Sequence, residues 1–174
     1  MSLENALGSV GGITVGDEEV VDHQRLSGAG YCFSASAPPF VSSASVAALG
    51  VLEAESGRLA AALEENTKAL RRALDGLPQL AVVSDPRSPV LYARLSDAAS
   101  EGRDYDGQNS VLQAVAARCA DLGVSLVATG DHVTGHLLMD RPRPMIRCVV
   151  NVMVGRKMVE EAGRVIKRAC KECV

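Results

Sequence analysis

Apolar positions along the chain change their period several times, and each change predicts an element. After the Pro38-Pro39 pair, Val41, Ala44, Val46, Ala47, Leu49 and Leu52 supply a broad helical face over residues 40 to 52, and the prolines suit its first turn. Gly50 and Gly57 weaken that pattern. It resumes from Arg58 to Leu74, where Leu59, Leu63, Leu70 and Leu74 recur near a 3.6 period and Glu64 and Lys68 form a favourable i,i+4 pair. Asp75-Gly76 and Pro78 stop the helix. Short β-type runs at Leu80 to Val83 and Val90 to Leu95 then read as strands on either side of the turn Asp85 to Pro89.

The second half continues in the same manner. Ser96 to Asn109 is polar and reads as a loop, Val111 to Leu122 as a helix closed by Gly123, and Val124 to Ala128 as a compact strand. Pro142 and Pro144 exclude a regular central strand, after which Met145 to Val154 is the clearest β run. Arg156 to Cys173 is the closing helix, weakly interrupted at Gly163. The order β, β, α, β, β, α predicts helices covering one face of a small sheet, an α/β fold.

The first forty residues are less periodic. Glu4 to Leu7 is helix-compatible, Gly8, Gly11 and Gly12 interrupt it, and Ile13 to Val15 is β-like. Val20-Val21 and Tyr31 to Phe33 read as short strands. Such an opening looks as though it belongs inside something larger, since termini are usually poorly tied down.

Composition narrows the class. A chain of 174 residues that is 47% hydrophobic can bury a core and is not disordered. Two Phe, three Tyr and no Trp leave packing to small aliphatic residues, which suits α/β layers and not a base-stacking module. A net charge of −3 gives no electrostatic reason to invoke nucleic acid. Five dispersed cysteines read as reduced intracellular thiols, not as a disulfide framework. The N-terminus lacks the basic start and apolar core of a signal peptide, and no run of about 18 apolar residues spans a membrane.

Candidate chemistry centres on DHQRLSGAGYCFSASAPP at residues 22–39. Exposed N–H groups at a helix start, with the hydroxyls of Ser34 and Ser36 beside them, can hold a phosphate; the same hydroxyls can simply cap the turn and the helix. Arg147 interrupts the apolar run MIRCVVNV, where a guanidinium can grip a carboxylate bidentately or form an ordinary salt bridge. Arg141 and Arg143 read as a solvated face. His132 and His136 are four apart, but GDHVTGH lacks the adjacent glutamate and a third ligand, so no metal is expected. Cys170 and Cys173 form a C-x-x-C at the C-terminal end of a helix, away from the helix N-terminus that would activate a thiol.

Together, ENALGSVGG at 4–12, the 22–39 stretch and MIRCVV at 145–150 resemble the first, noncatalytic long-chain-base subunits of serine palmitoyltransferase. These belong to the α-oxoamine synthase branch of the fold-type-I pyridoxal-phosphate enzymes, and the resemblance covers nearly the whole chain as the C-terminal part of the family protein. It implies the end of a large cofactor domain (1–50), linking helices (51–78) and a C-terminal small α/β domain (79–174). In catalytic relatives the glycine motif opens with the Schiff-base lysine; matching the glycines puts Asn5 there, and the first lysine of this chain is Lys68. An amide cannot form that bond, so no catalytic residue is expected here. The resemblance further implies cofactor contacts by Ser34 and Ser36 across a subunit interface, although Ala35 removes one family hydroxyl, and a substrate-carboxylate contact by Arg147.

The implied partner is a catalytic second subunit that supplies the lysine for pyridoxal phosphate, in a heterodimer at the cytosolic face of the endoplasmic reticulum, with membrane association through an absent N-terminus or through partners. The implied reaction condenses L-serine with palmitoyl-CoA, with loss of carbon dioxide, in sphingolipid synthesis. A catalytic pyridoxal-phosphate acyltransferase and a structural interaction protein stay open as alternatives.

Overall fold

The computed structural model describes residues 2–130 and 143–174. The chain divides into two compact units, 1–59 and 60–174. Each is described by itself.

The first unit is helical. Helix α1 (Leu3–Leu7) ends at Gly8, whose φ of 62° lies in the left-handed region that favours glycine. The reversal returns the Ser9 N–H to the Leu3 carbonyl at 3.1 Å and brings the Leu3 N–H to the Gly11 carbonyl at 2.9 Å. Gly11, at φ 90°, makes the second reversal, so the glycine motif folds into a closed loop. Ile13 to Val15 forms no strand.

Helices α2 (Glu18–Ser27) and α3 (Ala29–Cys32) occupy the two places where Val20-Val21 and Tyr31 to Phe33 read as strands. For α2 the helical signal is electrostatic: Glu18 and Glu19 lie in the first turn and Arg25 in the last, which complements the helix dipole and outweighs the weak β preference of two valines. Helix α4 runs unbroken from Pro39 to Leu74. Gly50 and Gly57 do not divide it, because a glycine within a helix costs only about 1 kcal/mol and 36 residues of backbone hydrogen bonding tolerate two such losses.

The second unit is an α/β layer pair. Strands β1 (Leu80–Val82), β2 (Val90–Leu95), β3 (Val127–Ala128) and β4 (Ile146–Val149) form an antiparallel sheet in the order β1-β2-β4-β3. Alternation puts Leu91, Ala93 and Leu95 of β2, with Ile146 and Cys148 of β4, on one buried face. Against it pack Leu112, Val115 and Cys119 of α6 (Tyr105–Asp121) and Val159, Ile166 and Ala169 of α7 (Arg156–Cys173). Ala69, Leu70 and Leu74 from the last turns of α4 complete this core. Leu91, Leu112 and Val115 are fully buried, and burial of such a side chain stabilises the fold by roughly 1.5–3 kcal/mol.

Four readings of this half change in the structure. Ser96 to Asn109 is not one loop: Ser96 caps a short helix, α5 (Asp97–Ser100), by accepting from the Ala99 N–H at 3.2 Å, and Asp104 caps α6 by accepting from the Gly107 N–H at 2.8 Å. The capping residues were present in the sequence, but without an apolar period behind them. Strand β4 ends at Val149, not Val154, because Asn151 accepts from the N–H groups of Met153 (2.9 Å) and Val154 (3.1 Å) and turns the chain out of the sheet. Buried Asn66 pins that turn by donating to the carbonyls of Asn151 (3.2 Å) and Val154 (2.8 Å). Strand β3 is correspondingly brief, with two residues where five read as strand.

Gly163 does not interrupt α7. A Cβ there would lie 2.4 Å from the Ala73 Cβ, so this glycine allows the closing helix to approach α4. Gly163→Val should therefore lower stability by about 1–3 kcal/mol through overpacking, measured as a reduced urea midpoint of the full chain with an unchanged far-ultraviolet spectrum at zero urea.

Candidate functional site

The candidate residues fall into two groups, one in each unit. In the first unit the loop of the glycine motif lies beside the start of α4: the Ser9 hydroxyl donates to the Val41 carbonyl at 3.3 Å, and buried Ser45 donates to the same oxygen at 2.8 Å. Leu3 and Val41 are buried there. Asn5 lies on α1.

Ser34 and Ser36 lie in the segment between α3 and α4, and both are exposed. The Ser34 hydroxyl donates to the Gly30 carbonyl, four residues back, so it closes the end of α3 locally and does not cap α4. Ser36 remains open to solvent. His23 is exposed on α2. His132, His136, Arg141 and Pro142 lie outside the described residues.

In the second unit the sheet has an open face, opposite the one covered by α6 and α7. Arg147 is on it, half-buried in the centre of a row that runs Tyr92, Arg147, Val127 across three strands. Its side chain makes no hydrogen bond or ion pair among the described residues. The neighbouring Arg94, on the same face, is tied to Asp97 at 2.7 Å. Among the described residues no carboxylate occupies the Arg147 guanidinium, whose planar fork can take a carboxylate bidentately. Tyr92 was not legible as its neighbour, because strand register follows from pairing and not from local sequence.

A second feature of this unit had no signal in the sequence. The last turns of α4 and the β1–β2 turn enclose a cleft of about 600 Å³ lined by Leu63, Thr67, Lys68, Arg71 and Arg87. Arg71 spans its base, donating to the Ser84 hydroxyl at 3.0 Å and to the Asp85 carbonyl. None of Ser34, Ser36 or Arg147 lines it.

The cysteines have a structural distribution. All five are free thiols, and Cys119, Cys148 and Cys170 are buried in one core with Cys173 packed at its margin. Among the described residues no group of His, Cys, Asp and Glu could hold a metal ion. Cys170 and Cys173 end α7. Burial pushes the Cys119 thiol up to about 11 and those of Cys148 and Cys170 up to about 12, which makes them poor nucleophiles at neutral pH.

The residues of the first unit do not fit covalently held pyridoxal phosphate. All lysines of the chain lie from Lys68 onward, in the second unit, so the first has no side-chain amine for a Schiff base.

The fold is that of the fold-type-I pyridoxal-phosphate-dependent transferases. It matches 8-amino-7-oxononanoate synthase from Francisella tularensis with a TM-score of 0.69 at 16% identity, over 98% of this chain and 44% of that one. A transaminase obtained by ancestral reconstruction matches with a TM-score of 0.58 at 19% identity, over 90% of this chain and 33% of that one. The chain belongs to the aminotransferase class I and II family, which it matches over residues 2–130. Family membership points to use of pyridoxal phosphate.

Within that family it is 33% identical to serine palmitoyltransferase 1 of Dictyostelium discoideum over 96% of its own length and 35% of the relative's. It is also 43% identical to long chain base biosynthesis protein 1c of Oryza sativa subsp. japonica, over 53% of this chain and 19% of that one. The chain thus spans about a third of the Dictyostelium relative. No helix among the described residues is long and apolar enough to cross a membrane.

The raised thiol pKa values set an alkaline limit. A folded pKa above the ordinary value of about 8.5 means that the native state holds the proton more tightly, so this stabilisation is complete below about pH 8.5 and is lost as pH rises through the folded values. The urea midpoint should be flat between about pH 7 and 8 and fall progressively above about pH 9. At neutral pH a thiol reagent should label exposed Cys32 rapidly, and Cys119, Cys148 and Cys170 only on unfolding.

Proposed function

We propose that this chain is a noncatalytic component of serine palmitoyltransferase, supporting a lysine-bearing partner. The assembly condenses L-serine with palmitoyl-CoA to 3-ketodihydrosphingosine, releasing CoA and carbon dioxide. The observation that carries the reading is the 33% identity to serine palmitoyltransferase 1 along 96% of this chain. The chemistry of the glycine motif supports it. With Asn5 in the motif and no lysine before Lys68, the chain itself cannot provide the Schiff base, so the amine comes from the partner.

In this reading residues 1–50 are the end of the large cofactor domain, 51–78 the link and 79–174 the small domain. Pyridoxal phosphate, held by the partner's lysine, supplies the electron sink for carbon–carbon bond formation. Ser34 and Ser36 contact its phosphate across the subunit interface. For Ser34 this requires its hydroxyl to turn away from the Gly30 carbonyl, while Ser36 is exposed without such a rearrangement. Arg147 holds the serine carboxylate through a guanidinium fork that no carboxylate among the described residues occupies. The complex works at the cytosolic face of the endoplasmic reticulum, attached through partners or through segments outside this sequence.

Coexpression with a lysine-bearing second subunit, followed by a serine and palmitoyl-CoA condensation assay, tests the reading against the second subunit alone. The expected outcome is a copurifying complex with activity above that control. A complex without any gain would favour a structural interaction protein, and a Schiff-base absorbance from this chain alone would favour a catalytic acyltransferase. In the active complex, Arg147→Gln should raise KM for serine at least about tenfold, the loss of a charge-assisted pair, while changing the urea midpoint little.

A further inference from the structure

Helix α4 changes character along one face as it enters the second unit. Positions 60, 63, 67 and 71 share a stripe at helical spacing. The residues there pass from Ala60 and Leu63 through Thr67 to Arg71, with Lys68 and Arg72 beside it. Pro86 and Arg87 of the β1–β2 turn form the other wall of the cleft of about 600 Å³. Both walls belong to residues 60–174, the unit that buries its own core. From position 60 to position 71 the stripe is about 16 Å long, at a rise of about 1.5 Å per residue. One end of the cleft is therefore apolar and the other cationic.

The cationic end carries more charge than its own carboxylates neutralise. Lys68, Arg71, Arg72 and Arg87 line the cleft with one carboxylate, Glu64. Lys68 is paired with Glu64, and exposed Arg87 with Asp85 at 3.3 Å, whereas Arg71 and Arg72 form no ion pair among the described residues. Neutral acceptors hold Arg71: it donates to the Ser84 hydroxyl at 3.0 Å and to the carbonyls of Ser84 (3.3 Å) and Asp85, which ties its guanidinium to the turn. Its Nε is buried and has no hydrogen-bond partner among the described residues. Basic residues in the last turn of a helix complement its dipole, which accounts for the charge of Arg71 and Arg72. It does not account for a buried donor left without an acceptor.

We propose that this cleft binds an organic phosphate monoester with an aliphatic body. The head group lies at the Arg71–Arg72 end, and the chain runs along α4 over Thr67, Leu63 and Ala60. A phosphate monoester carries close to two negative charges at neutral pH, which matches two guanidiniums without carboxylate partners; a carboxylate would neutralise only one. Guanidinium groups suit phosphate oxygens because several N–H donors lie in one plane. The length of the stripe takes a head group and an alkyl chain of medium length. Arg147 does not line this cleft, and the site does not depend on the function proposed above.

Calorimetric titration of the full 174-residue chain with octyl phosphate, inorganic phosphate and octanol tests both ends of the cleft. Octyl phosphate should bind at least about tenfold more tightly than inorganic phosphate, through burial of its chain, and octanol should show no binding. Arg72→Glu, at an exposed position, should weaken octyl phosphate at least about tenfold. Ala60→Glu should abolish the advantage of octyl phosphate over inorganic phosphate. Lys157→Glu makes the same change of charge at an exposed residue of α7 outside the cleft and should bind as the wild type does, and all three variants should keep the wild-type urea midpoint. Sedimentation with phosphatidylcholine vesicles, with and without phosphatidic acid, separates two sources of the ester. Pelleting that requires phosphatidic acid and is lost in Arg72→Glu assigns a lipid head group, and octyl phosphate binding without such pelleting assigns a soluble ester. Equal losses in Arg72→Glu and Lys157→Glu would reduce the effect to overall charge and overturn the site. Failure of octyl phosphate to bind, or binding no tighter than that of inorganic phosphate, would overturn it as well.

Discussion

One constraint governs the second unit: a single face of a four-stranded sheet must be kept dry. Leu91, Ala93, Leu95, Ile146 and Cys148 alternate onto that face, and α6, α7 and the last turns of α4 exist as a layer because they cover it. Close approach is part of the same requirement. Gly163 yields its side chain so that α7 can reach Ala73, and Asn66 holds the turn that aims the chain from β4 into α7. The Arg118–Glu172 pair at 2.6 Å adds little by comparison, since exposed ion pairs contribute about 0–1 kcal/mol.

The first unit has no equivalent constraint satisfied within itself. Its helices are explained by local terms: glycine reversals at Gly8 and Gly11, acids at the head of α2, and prolines at the head of α4. Local terms of a few tenths to about 1 kcal/mol each are small beside the ordering entropy of a helical turn. Tertiary burial must therefore supply the remainder, and its apolar side chains are the surface on which that burial would be made.

This contrast also decides what was legible in the sequence. Strand β2 and helix α7 were readable to the residue, because a buried face imposes a period on the chain that holds it. The order of strands and helices in the second unit followed from the same signal. In the first unit the period is absent, and Val20-Val21 and Tyr31 to Phe33 were read by β propensity when capping charge and chain geometry had made helices. Ser96 and Asp104 show the intermediate case, where the caps were visible and the short elements behind them were not. At the candidate site the individual residues Ser34, Ser36 and Arg147 could be singled out by chemical type. The Tyr92–Arg147–Val127 row could not, because register is a property of pairing.

The layer arrangement restricts where chemistry can occur in the second unit. The inner face is packed with aliphatic side chains and with thiols whose burial holds them protonated, so it offers no reactive group. The outer face carries the half-buried Arg147 beside a tyrosine, flanked by strands that fix its backbone on both sides. A half-buried cation costs desolvation, and among the described residues no carboxylate pairs with Arg147 to offset it. The same alternation that builds the core puts Arg147 on the opposite face of β4.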